Sequence, residues 1–363
     1  MAHPGKPGEE FREDLRAVAA RRDGAGRPDA ASMGRRVLSP SELEVLTTLD
    51  DRRSLLAIGL TAAVIGAAAA FGLAAWATPW VVLSVVVIGV QQHALFILAH
   101  DAAHYRLFRS RALNDIVGRA IGMASGISMC TYRVIHRLHH NNLYTEEDPD
   151  TAIHGGYPRG VGYLWRKLAQ DLAAVNAWKT FAYFFGAPAI NAATNRAARP
   201  LDDTSPALRR SARHDRWLVL AFHVGAPIAA WALGGWRGLA QYGVLWLLPM
   251  VTVLQVILRL RAICEHGAVT DLSSPLTAAR CNITSGSLAN WAGRALLFPH
   301  HVNYHLEHHL YPAVPHYRLP ALHRLLRDKG VLEGAEVRDI AATMSEIFAP
   351  RRVVAPERAT TMP

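Results

Sequence analysis

The chain has 363 residues, of which 51% are hydrophobic and 19% are charged, and its formal net charge is +10 at pH 7. Ordinary soluble domains carry roughly 25% charged residues, so this composition favours a membrane protein. No nucleic-acid motif or interleaved aromatic and basic pattern accompanies the positive charge, so we expect no nucleic-acid partner. The basic residues are better explained by membrane topology and contact with anionic lipid.

The two ends of the chain are expected to be flexible tails. Residues 1–37 combine Pro, Gly and charge without helical or strand periodicity, as in HPGKPGEE and RRDGAGRP. No apolar segment follows the initial Met, so we expect no cleaved signal peptide. Residues 350–363 have a similar character, which leaves residues 38–349 as one domain.

The first apolar block predicts two membrane helices. From Ser54 to Ala99 the chain has no Asp, Glu, Lys or Arg, and His93 is its only titratable side chain. This run is too long for one span of about 20 residues. A turn is expected at Thr78-Pro79, because the residue before a proline disfavours helix. The spans are placed at residues 55–77 and 80–99.

A second apolar block predicts two more spans. It runs from Trp217 to Leu258 and contains one full charge, Arg237, within the stretch GGWRG. We expect a turn at these glycines and spans at residues 217–235 and 239–258. The sequence therefore predicts an all-α integral membrane fold with four transmembrane helices.

The basic residues predict the orientation of these spans. Ten Lys and Arg residues lie at or before Arg53, sixteen between Arg106 and Arg216, and twelve from Arg259 onward. Arg237 alone lies between the third and fourth spans. Because basic residues concentrate on the cytoplasmic side, both termini and the segment between spans two and three are predicted to be cytoplasmic.

Eight of the 18 histidines form three short groups, HDAAH, HRLHH and HLEHH. The groups comprise His100 and His104; His136, His139 and His140; and His305, His308 and His309. Residues spaced i, i+3 and i+4 share one face of a helix, so each group can direct all its imidazoles to one point. The HxxHH pattern is expected by chance roughly 0.04 times in this chain. It occurs twice.

All three groups fall on the predicted cytoplasmic side, and His266, in RAICEHG after the fourth span, is a ninth candidate ligand. Nine imidazoles exceed the four to six ligands that one ion takes, so a pair of metal ions is predicted. Imidazole alone is compatible with Zn, Cu, Fe or Ni, so the residues leave the element open.

Carboxylates near the groups are candidates to orient the ligands, because ligating histidines usually donate their second N–H to a carboxylate or a carbonyl. Asp101 and Glu307 are favoured over Asp148, Asp150 and Glu265. A lone histidine is more often structural. We give that interpretation to His3, His154, His214, His223, His316 and His323.

Three motifs resemble the histidine boxes of the membrane fatty acid desaturase superfamily: HxxxH at 100–104, HxxHH at 136–140 with DPD at 148–150, and NYHLEHHLYP at 303–312. The resemblance extends over about residues 50–330. It implies a four-helix transmembrane stalk, a cytosolic helical cap that holds two Fe ions, and O2-dependent oxidation of an unactivated C–H bond. It also implies that His266 is the extra ligand that follows the last span.

Details of the motifs narrow the resemblance. Three residues separate His100 from His104, as in acyl-lipid and sphingolipid types, and His305 stands where front-end desaturases fused to cytochrome b5 commonly have glutamine. No cytochrome b5-like domain is recognised, so the resemblance implies a separate donor, a ferredoxin or cytochrome b5 with its reductase. Ala262 stands where other members often have a polar residue that reaches a metal through water. His301 or Asn303 is a candidate to take the place of that missing polar side chain.

Three functions remain open. The first is desaturation of a fatty acyl chain linked to lipid, CoA or a carrier protein, and the second is hydroxylation or ketone formation on a lipid or carotenoid by the same two irons. These two differ in substrate placement, which the boxes do not reveal. The third, from another class, is a zinc-bearing membrane hydrolase or receptor.

Aromatic residues beside the spans have two interpretations. They either line an apolar tunnel for an acyl chain or form a belt on helices that lie at the membrane surface. The residues are Trp165, Trp178, Phe181, Tyr183, Phe184, Phe185, Trp291 and Phe298.

Overall fold

A computed structural model describes residues 37–145, 148–155, 157–190, 197–198, 200–202, 204–269 and 274–350. Apart from residues 37 and 350, the tails predicted at 1–37 and 350–363 lie outside this part of the chain. The described residues are mostly helical, in agreement with the predicted all-α class.

The elements follow one another along the chain with little sheet. The helices are α1 (Pro40–Thr47), α2 (Asp51–Ala74), α3 (Val81–Ala103), α4 (Arg111–Ala124), α5 (Met129–Asn142), α6 (Thr151–His154), α7 (Val161–Leu172), α8 (Ala177–Phe184), α9 (Pro206–Tyr242), α10 (Leu248–Val251), α11 (Val253–His266), α12 (Pro275–Ala278), α13 (Leu288–Leu297), α14 (His305–Leu310), α15 (Leu319–Asp328) and α16 (Ile340–Ile347). A π-helical turn spans Gly243–Leu247, and 3₁₀ turns span Pro299–His301 and His316–Arg318. Strand β1 (Ala189–Ile190) pairs antiparallel with β2 (Ala197–Ala198), and β3 (Cys281–Ile283) pairs parallel with β4 (Val337–Asp339).

Among the described residues, three helical stretches are long and apolar enough to cross a membrane: Pro40–Ala74, Val81–Ala103 and Pro206–His266. The first two contain most of the predicted spans 55–77 and 80–99, and the turn between them covers residues 75–80, as the Thr78-Pro79 pair predicts. The third covers both remaining predicted spans.

The third stretch reverses direction at Gly235. This residue has φ 59° and ψ −148°, a backbone conformation that interrupts the helix and suits glycine. A methyl group on Gly238 would lie 2.2 Å from the carbonyl oxygen of Ala230. Residues eight apart in a continuous helix are separated by about 12 Å. The break expected in GGWRG is therefore present, and it folds the stretch back on itself.

The predicted span 239–258 is less regular than its apolar sequence suggests. A π-helical turn occupies Gly243–Leu247, and Thr252 departs from helical geometry with φ −122° and ψ −83°. Pro249 lies between the two irregularities and has no N–H to donate to the preceding turn, which explains why the helix does not continue unbroken.

Exposure divides the aromatic residues that had two interpretations. Trp165, Trp178 and Trp291 are between 57% and 66% exposed, so they face outward and do not line a tunnel. Phe184 and Phe298 are buried in the hydrophobic core. The exposed tryptophans agree with an interfacial belt, since Trp concentrates at membrane–water boundaries.

Serine and aspartate side chains set the start of α5, the helix that carries the second histidine group. Ser128 accepts a hydrogen bond from the backbone N–H of Thr131, and the Asp215 carboxylate on α9 accepts one at 2.7 Å from the N–H of Cys130. A negative charge is favourable at a helix N-terminus. Asp215 also pairs with Arg119 of α4 at 2.9 Å, so this buried carboxylate joins three helices.

Helix α3 lies at the centre of the apolar helices and packs against α2, α4 and α11. Its C-terminal half is buried almost without interruption from Ile88 onward. Glycine permits the closest approach, because a methyl group on Gly89 would lie 2.6 Å from Cβ of Val253 on α11. Helices α3 and α11 therefore hold each other in register up to their C-terminal ends.

The substitution Gly89→Ala should lower the thermal unfolding temperature in detergent micelles, as measured by differential scanning fluorimetry. The added methyl group forces α3 and α11 apart, and overpacking of this kind costs about 1–3 kcal/mol. Gly66→Ala on α2 is the matched control, because no atom lies within 4 Å of its added methyl group. Equal unfolding temperatures for the two variants would contradict the close packing at Gly89.

Candidate metal centre

The nine histidines predicted as ligands lie together in two buried clusters. The first cluster contains His100, His104, His136, His140 and His308, and the second cluster contains His139, His266, His305 and His309. Within each cluster, one ring nitrogen from every member lies within 4.8 Å of the others. Convergence of imidazoles from distant parts of the chain is the central expectation of the sequence, and the folded chain has this arrangement.

Contacts in the first cluster join the Nε2 atoms of neighbouring rings. His136 Nε2 lies 2.8 Å from His104 Nε2 and 2.9 Å from His140 Nε2. His140 Nε2 also lies 3.0 Å from His308 Nε2. A ring nitrogen is either a donor or an acceptor, so a chain of such contacts is poorly satisfied by hydrogen bonds alone. Two nitrogens bound at right angles to one ion, each about 2.1 Å from it, are about 3.0 Å apart.

The second cluster has the same geometry. His266 Nε2 lies 3.2 Å from His139 Nε2 and 2.8 Å from His305 Nε2, and His305 Nε2 lies 3.1 Å from His309 Nε2. All four side chains are buried. The donor set is entirely nitrogen, which suits the borderline transition metals better than Mg²⁺ or Ca²⁺.

His100 supplies a separate test of whether the first cluster fits a metal ion. Its side chain is buried, and neither ring nitrogen has a hydrogen-bond partner. A buried polar group without a partner costs about 1–3 kcal/mol. A cation bound among the five rings would remove that cost, so the residues present fit a metal ion.

Helix geometry explains how the histidine groups divide between the clusters. Each pair spaced i, i+4 stays together, as His136 and His140 do in the first cluster and His305 and His309 in the second. The i+3 member turns to the other cluster, because residues i+3 and i+4 differ by about 100° around a helix. The expectation that each group points all its rings at one site was therefore wrong for the two HxxHH groups.

Burial favours the neutral form of the rings in the first cluster. It lowers the pKa of His104 to about 3 and also lowers the pKa of His136, His140 and His308 well below the usual value. A neutral imidazole retains the lone pair that a metal ion needs. His104 and His140 are partly exposed whereas the other three members are buried, so the first cluster opens to solvent on their side.

Asp148 orients His139 in the second cluster. His139 Nδ1 lies 3.0 Å from Asp148 Oδ1, whose carboxylate also accepts from the backbone N–H groups of Tyr144 and Asp150 at 3.0 Å each. Burial alone would lower the pKa of His139, but the Asp148 carboxylate outweighs it and raises that pKa to about 9. The ring is therefore protonated at pH 7, and a metal ion would have to displace the proton on Nε2. Because Asp148 accepts the proton on Nδ1, Nε2 is the ligand atom once that second proton is lost. Sequence reasoning had favoured two other acids over Asp148.

Those two favoured acids, Asp101 and Glu307, have other histidines as their nearest partners. Asp101 Oδ2 lies 2.7 Å from His316 Nδ1, whereas its Oδ1 is 3.7 Å from His100 Nδ1. Glu307 Oε1 lies 2.5 Å from His323 Nδ1. Asp101 thus bridges His316 and the first cluster at longer range, and Glu307 faces away from the rings on either side of it in sequence.

The end of α11, which carries His266, is held by a buried arginine. Arg280 is fully buried, donates to the carbonyl oxygens of Cys264 and Gly267 at 3.0 Å each, and pairs with Glu336 at 3.0 Å. A cation is favourable at a helix C-terminus, where carbonyls lack partners. His266 Nδ1 is 3.2 Å from the Ala278 carbonyl oxygen, which leaves its Nε2 directed into the second cluster.

His154 is a residue that sequence reasoning missed. It is buried, both ring nitrogens lack hydrogen-bond partners, and with His139 and Asp148 it forms a third group of potential ligands within 4.8 Å. The sequence gives little signal for it, because no second histidine stands at a helical spacing. Only the preceding DPD motif places it near a functional segment.

His301 and Asn303, the candidates to replace the polar residue missing at Ala262, have partners outside the two histidine clusters. Arg294 approaches His301 Nδ1 at 3.0 Å, and the side-chain amide of Asn303 donates to the carbonyl oxygen of Asn282 at 3.0 Å. Over the described ranges, neither residue joins one of the two histidine clusters.

Residues 74–340 match a family model described as fatty acid desaturase, and this region contains all nine clustered histidines. The chain belongs to the fatty acid desaturase family. Membership identifies it as an oxidoreductase.

Several curated relatives are distant in sequence. Dihydrorhizobitoxine desaturase of Bradyrhizobium elkanii is 26% identical over 261 residues, which cover 68% of this chain and 68% of that protein. Fatty acid desaturase 3 of Bos taurus is 23% identical and matches 64% of this chain but 52% of its own length. Beta-carotene ketolase of a Paracoccus species is 26% identical, with 62% of this chain and 72% of that protein covered. The chain thus spans about half the length of the bovine relative.

Removal of one imidazole from either cluster should weaken metal binding. We expect His308→Ala, in the first cluster, and His139→Ala, in the second, to lose metal affinity by at least about tenfold. The measurement is metal content by inductively coupled plasma mass spectrometry after dialysis against a chelator. His214→Ala is the control, because this side chain is exposed on α9 and should leave metal content unchanged. Full metal retention by the His308 variant would refute its assignment as a ligand.

Proposed function

We propose that the protein is a di-iron membrane oxidase that introduces a double bond into a fatty acyl chain. The observation that carries this proposal is the convergence of nine imidazoles into adjacent clusters of five and four in a chain of the fatty acid desaturase family. The proposed ligands are His100, His104, His136, His140 and His308 for one ion and His139, His266, His305 and His309 for the other. When bound, the two irons would supply O2 activation and removal of hydrogen from a methylene group.

Adjacency of the clusters supports a cooperating pair of ions. The rings of His140 and His309, from different clusters, stack with centroids 4.2 Å apart. Helices α5 and α14 each contribute to both clusters, so neither site can form or shift independently of the other. Two electrons and two protons are needed to reduce O2 alongside desaturation, and a paired centre suits such chemistry.

The protein's own residues orient the ligands, and burial shields the second cluster from water. Asp148 holds the proton of His139 at Nδ1, and the Ala278 carbonyl does the same for His266. The apolar core around Leu98, Leu254 and Phe298 is closed, with exposures of 0%, 0% and 1%. Protection from water limits side reactions of a strong oxidant, and it makes orientation of the substrate decisive for the product.

Hydroxylation or ketone formation on a lipid or carotenoid is the second candidate. The relative named beta-carotene ketolase supports it, at the same 26% identity as the relative named dihydrorhizobitoxine desaturase. A fatty acyl substrate is supported by the family and by three helical stretches apolar enough for a membrane. The family and the apolar helices do not distinguish whether the acyl chain is linked to lipid, CoA or a carrier protein.

We further propose four membrane spans, with both termini, the cap and the metal centre on the cytoplasmic side. The reversal at Gly235 supports a hairpin of two spans within the third apolar stretch. The position of Arg237 at this hairpin, opposite 38 other Lys and Arg residues, supports the orientation. A separate ferredoxin or cytochrome b5 with its reductase would then reach the centre from the cytoplasm.

Alkaline phosphatase fused after Gly235 in a bacterial host should be active, because this enzyme folds only outside the cytoplasm. A fusion after Leu172, at the end of α7, should be inactive, and a green fluorescent protein fusion at the same position should fluoresce. Phosphatase activity at Leu172 would contradict the proposed orientation.

Lipid profiling by mass spectrometry of cells that express the protein tests the reaction. We expect a defined acyl chain to lose about 2 Da, the mass of the two hydrogens removed by desaturation. A gain of about 16 Da, one added oxygen, would indicate hydroxylation, and a gain of about 14 Da, one oxygen in place of two hydrogens, would indicate ketone formation. Cells that express His308→Ala should show none of these changes.

Metal identity separates the oxidases from the zinc-bearing hydrolase or receptor. Purified protein from iron-replete cells should hold about two irons per chain if both clusters are filled. Zinc without iron in that preparation would overturn the di-iron proposal.

A further inference from the structure

A pocket of about 540 Å³ lies outside the metal centre, between the beginning of α2 and helix α13 with the turn that follows it. Its walls include Arg53, Leu60, Trp291, Arg294, His301 and Tyr317. None of these residues is a proposed metal ligand, and the proposed reaction gives the pocket no role.

Both walls of the pocket lie where a membrane surface would meet the protein. Arg53 is the last charged residue before the run from Ser54 that lacks Asp, Glu, Lys and Arg. On the other wall, α13 exposes Leu288, Trp291 and Leu296 at 85%, 57% and 47%. A short helix that exposes Leu and Trp in this way is typical of one lying in the interface of a bilayer. The pocket is therefore at the depth of lipid headgroups.

The polar side of the pocket is positively charged. Its lining includes two guanidinium groups, from Arg53 and Arg294, and no Asp or Glu. Burial lowers the pKa of His300 and of His301 to about 4, so these rings are neutral at pH 7. In the part of the chain that the structure describes, Arg294 has no carboxylate partner, and Arg53 has only a long contact of 3.7 Å with Asp50.

Two aromatic residues of the pocket, Trp291 and Tyr317, are already paired with these cations. The Arg53 guanidinium lies 5.5 Å from the centre of the Tyr317 ring, and that of Arg294 lies 5.8 Å from the Trp291 ring. A quaternary ammonium headgroup needs free aromatic faces or a carboxylate. The pocket therefore favours an anionic headgroup over a choline headgroup.

The remaining wall is apolar and belongs to α2. Leu56, Ala57 and Leu60 line it, and Leu56 and Leu60 are 61% and 58% exposed. These side chains continue the lipid-facing surface of α2 from the pocket towards the middle of the apolar stretch. A molecule with an anionic head at Arg53 and Arg294 and a hydrocarbon tail along α2 would match both the cationic side and the apolar wall of the pocket.

We propose that this pocket binds the phosphate headgroup of an anionic phospholipid, with an acyl chain of that lipid lying against α2. Arg53 and Arg294 donate charge-assisted hydrogen bonds to the phosphate oxygens. The site tethers α13 and the third histidine group to the membrane surface, because α13 leads through the turn at Pro299–His301 to α14. The proposal concerns lipid binding alone, so it stands or falls independently of the reaction that the metal centre performs.

Native mass spectrometry of the purified full-length chain tests the proposal. The protein is released from micelles that contain equal amounts of phosphatidylglycerol and phosphatidylcholine of matched chains, and retained lipid is counted. We expect phosphatidylglycerol to be retained preferentially, and Arg294→Gln and Arg53→Gln each to reduce its retention by about tenfold, the value of one charge-assisted hydrogen bond.

Arg52→Gln is the matched control, because Arg52 is the exposed neighbour of Arg53 on α2 and does not line the pocket. It should retain phosphatidylglycerol like the unchanged protein. Metal content and thermal unfolding temperature, measured for every variant, should also be unchanged, which separates loss of the lipid from loss of the fold. A second pair of variants, Arg294→Lys and Arg53→Lys, should restore most of the retention.

Three outcomes would overturn the proposal. Equal retention of the two lipids would remove the preference for an anionic headgroup. Equal effects of Arg52→Gln and Arg53→Gln would show a general charge effect rather than this pocket. Displacement of the lipid by millimolar inorganic phosphate would make the site one for a soluble phosphate compound.

Discussion

The structure depends on keeping nine imidazoles close together in a buried space. In eight of them, Nε2 lies within 2.8–3.2 Å of the Nε2 of another ring, and neither ring nitrogen of His100 has a hydrogen-bond partner. Such a cluster of mutually unsatisfied nitrogens is costly in the absence of a shared cation. The surrounding fold therefore has to supply enough packing and ion pairing to hold the rings in place.

The apolar helices supply the packing and buried ion pairs supply the rest. Helices α3 and α11 meet at Gly89 and present His100 and His266 from adjacent C-terminal ends. Around them, Asp215 joins three helices, Arg259 of α11 pairs with Asp171 of α7, and Arg280 closes the end of α11. Arg280 is fully buried and is bonded to Glu336 and to three carbonyl oxygens, which offsets the desolvation of its charge.

Sharing of helices makes the two clusters one unit. Helices α5 and α14 each place rings in both, so a rotation of either helix would move rings of both clusters together. Helix α14 is in turn connected to α13 by only a short segment that contains the turn at Pro299–His301.

The sequence by itself determined the nine histidines, the apolar stretches and the breaks near Pro79 and Gly235, because charge-free runs, helical spacing and glycine have local physical consequences. Only the tertiary structure decided how the rings divide into five and four, and which acid faces which histidine. Asp148 rather than Glu307 contacts a clustered ring. His154, His316 and His323 lie beside acids rather than being isolated, and the first two of them are buried. Helical periodicity states which side chains share a face, but the partner opposite that face comes from a distant part of the chain and carries no local signal.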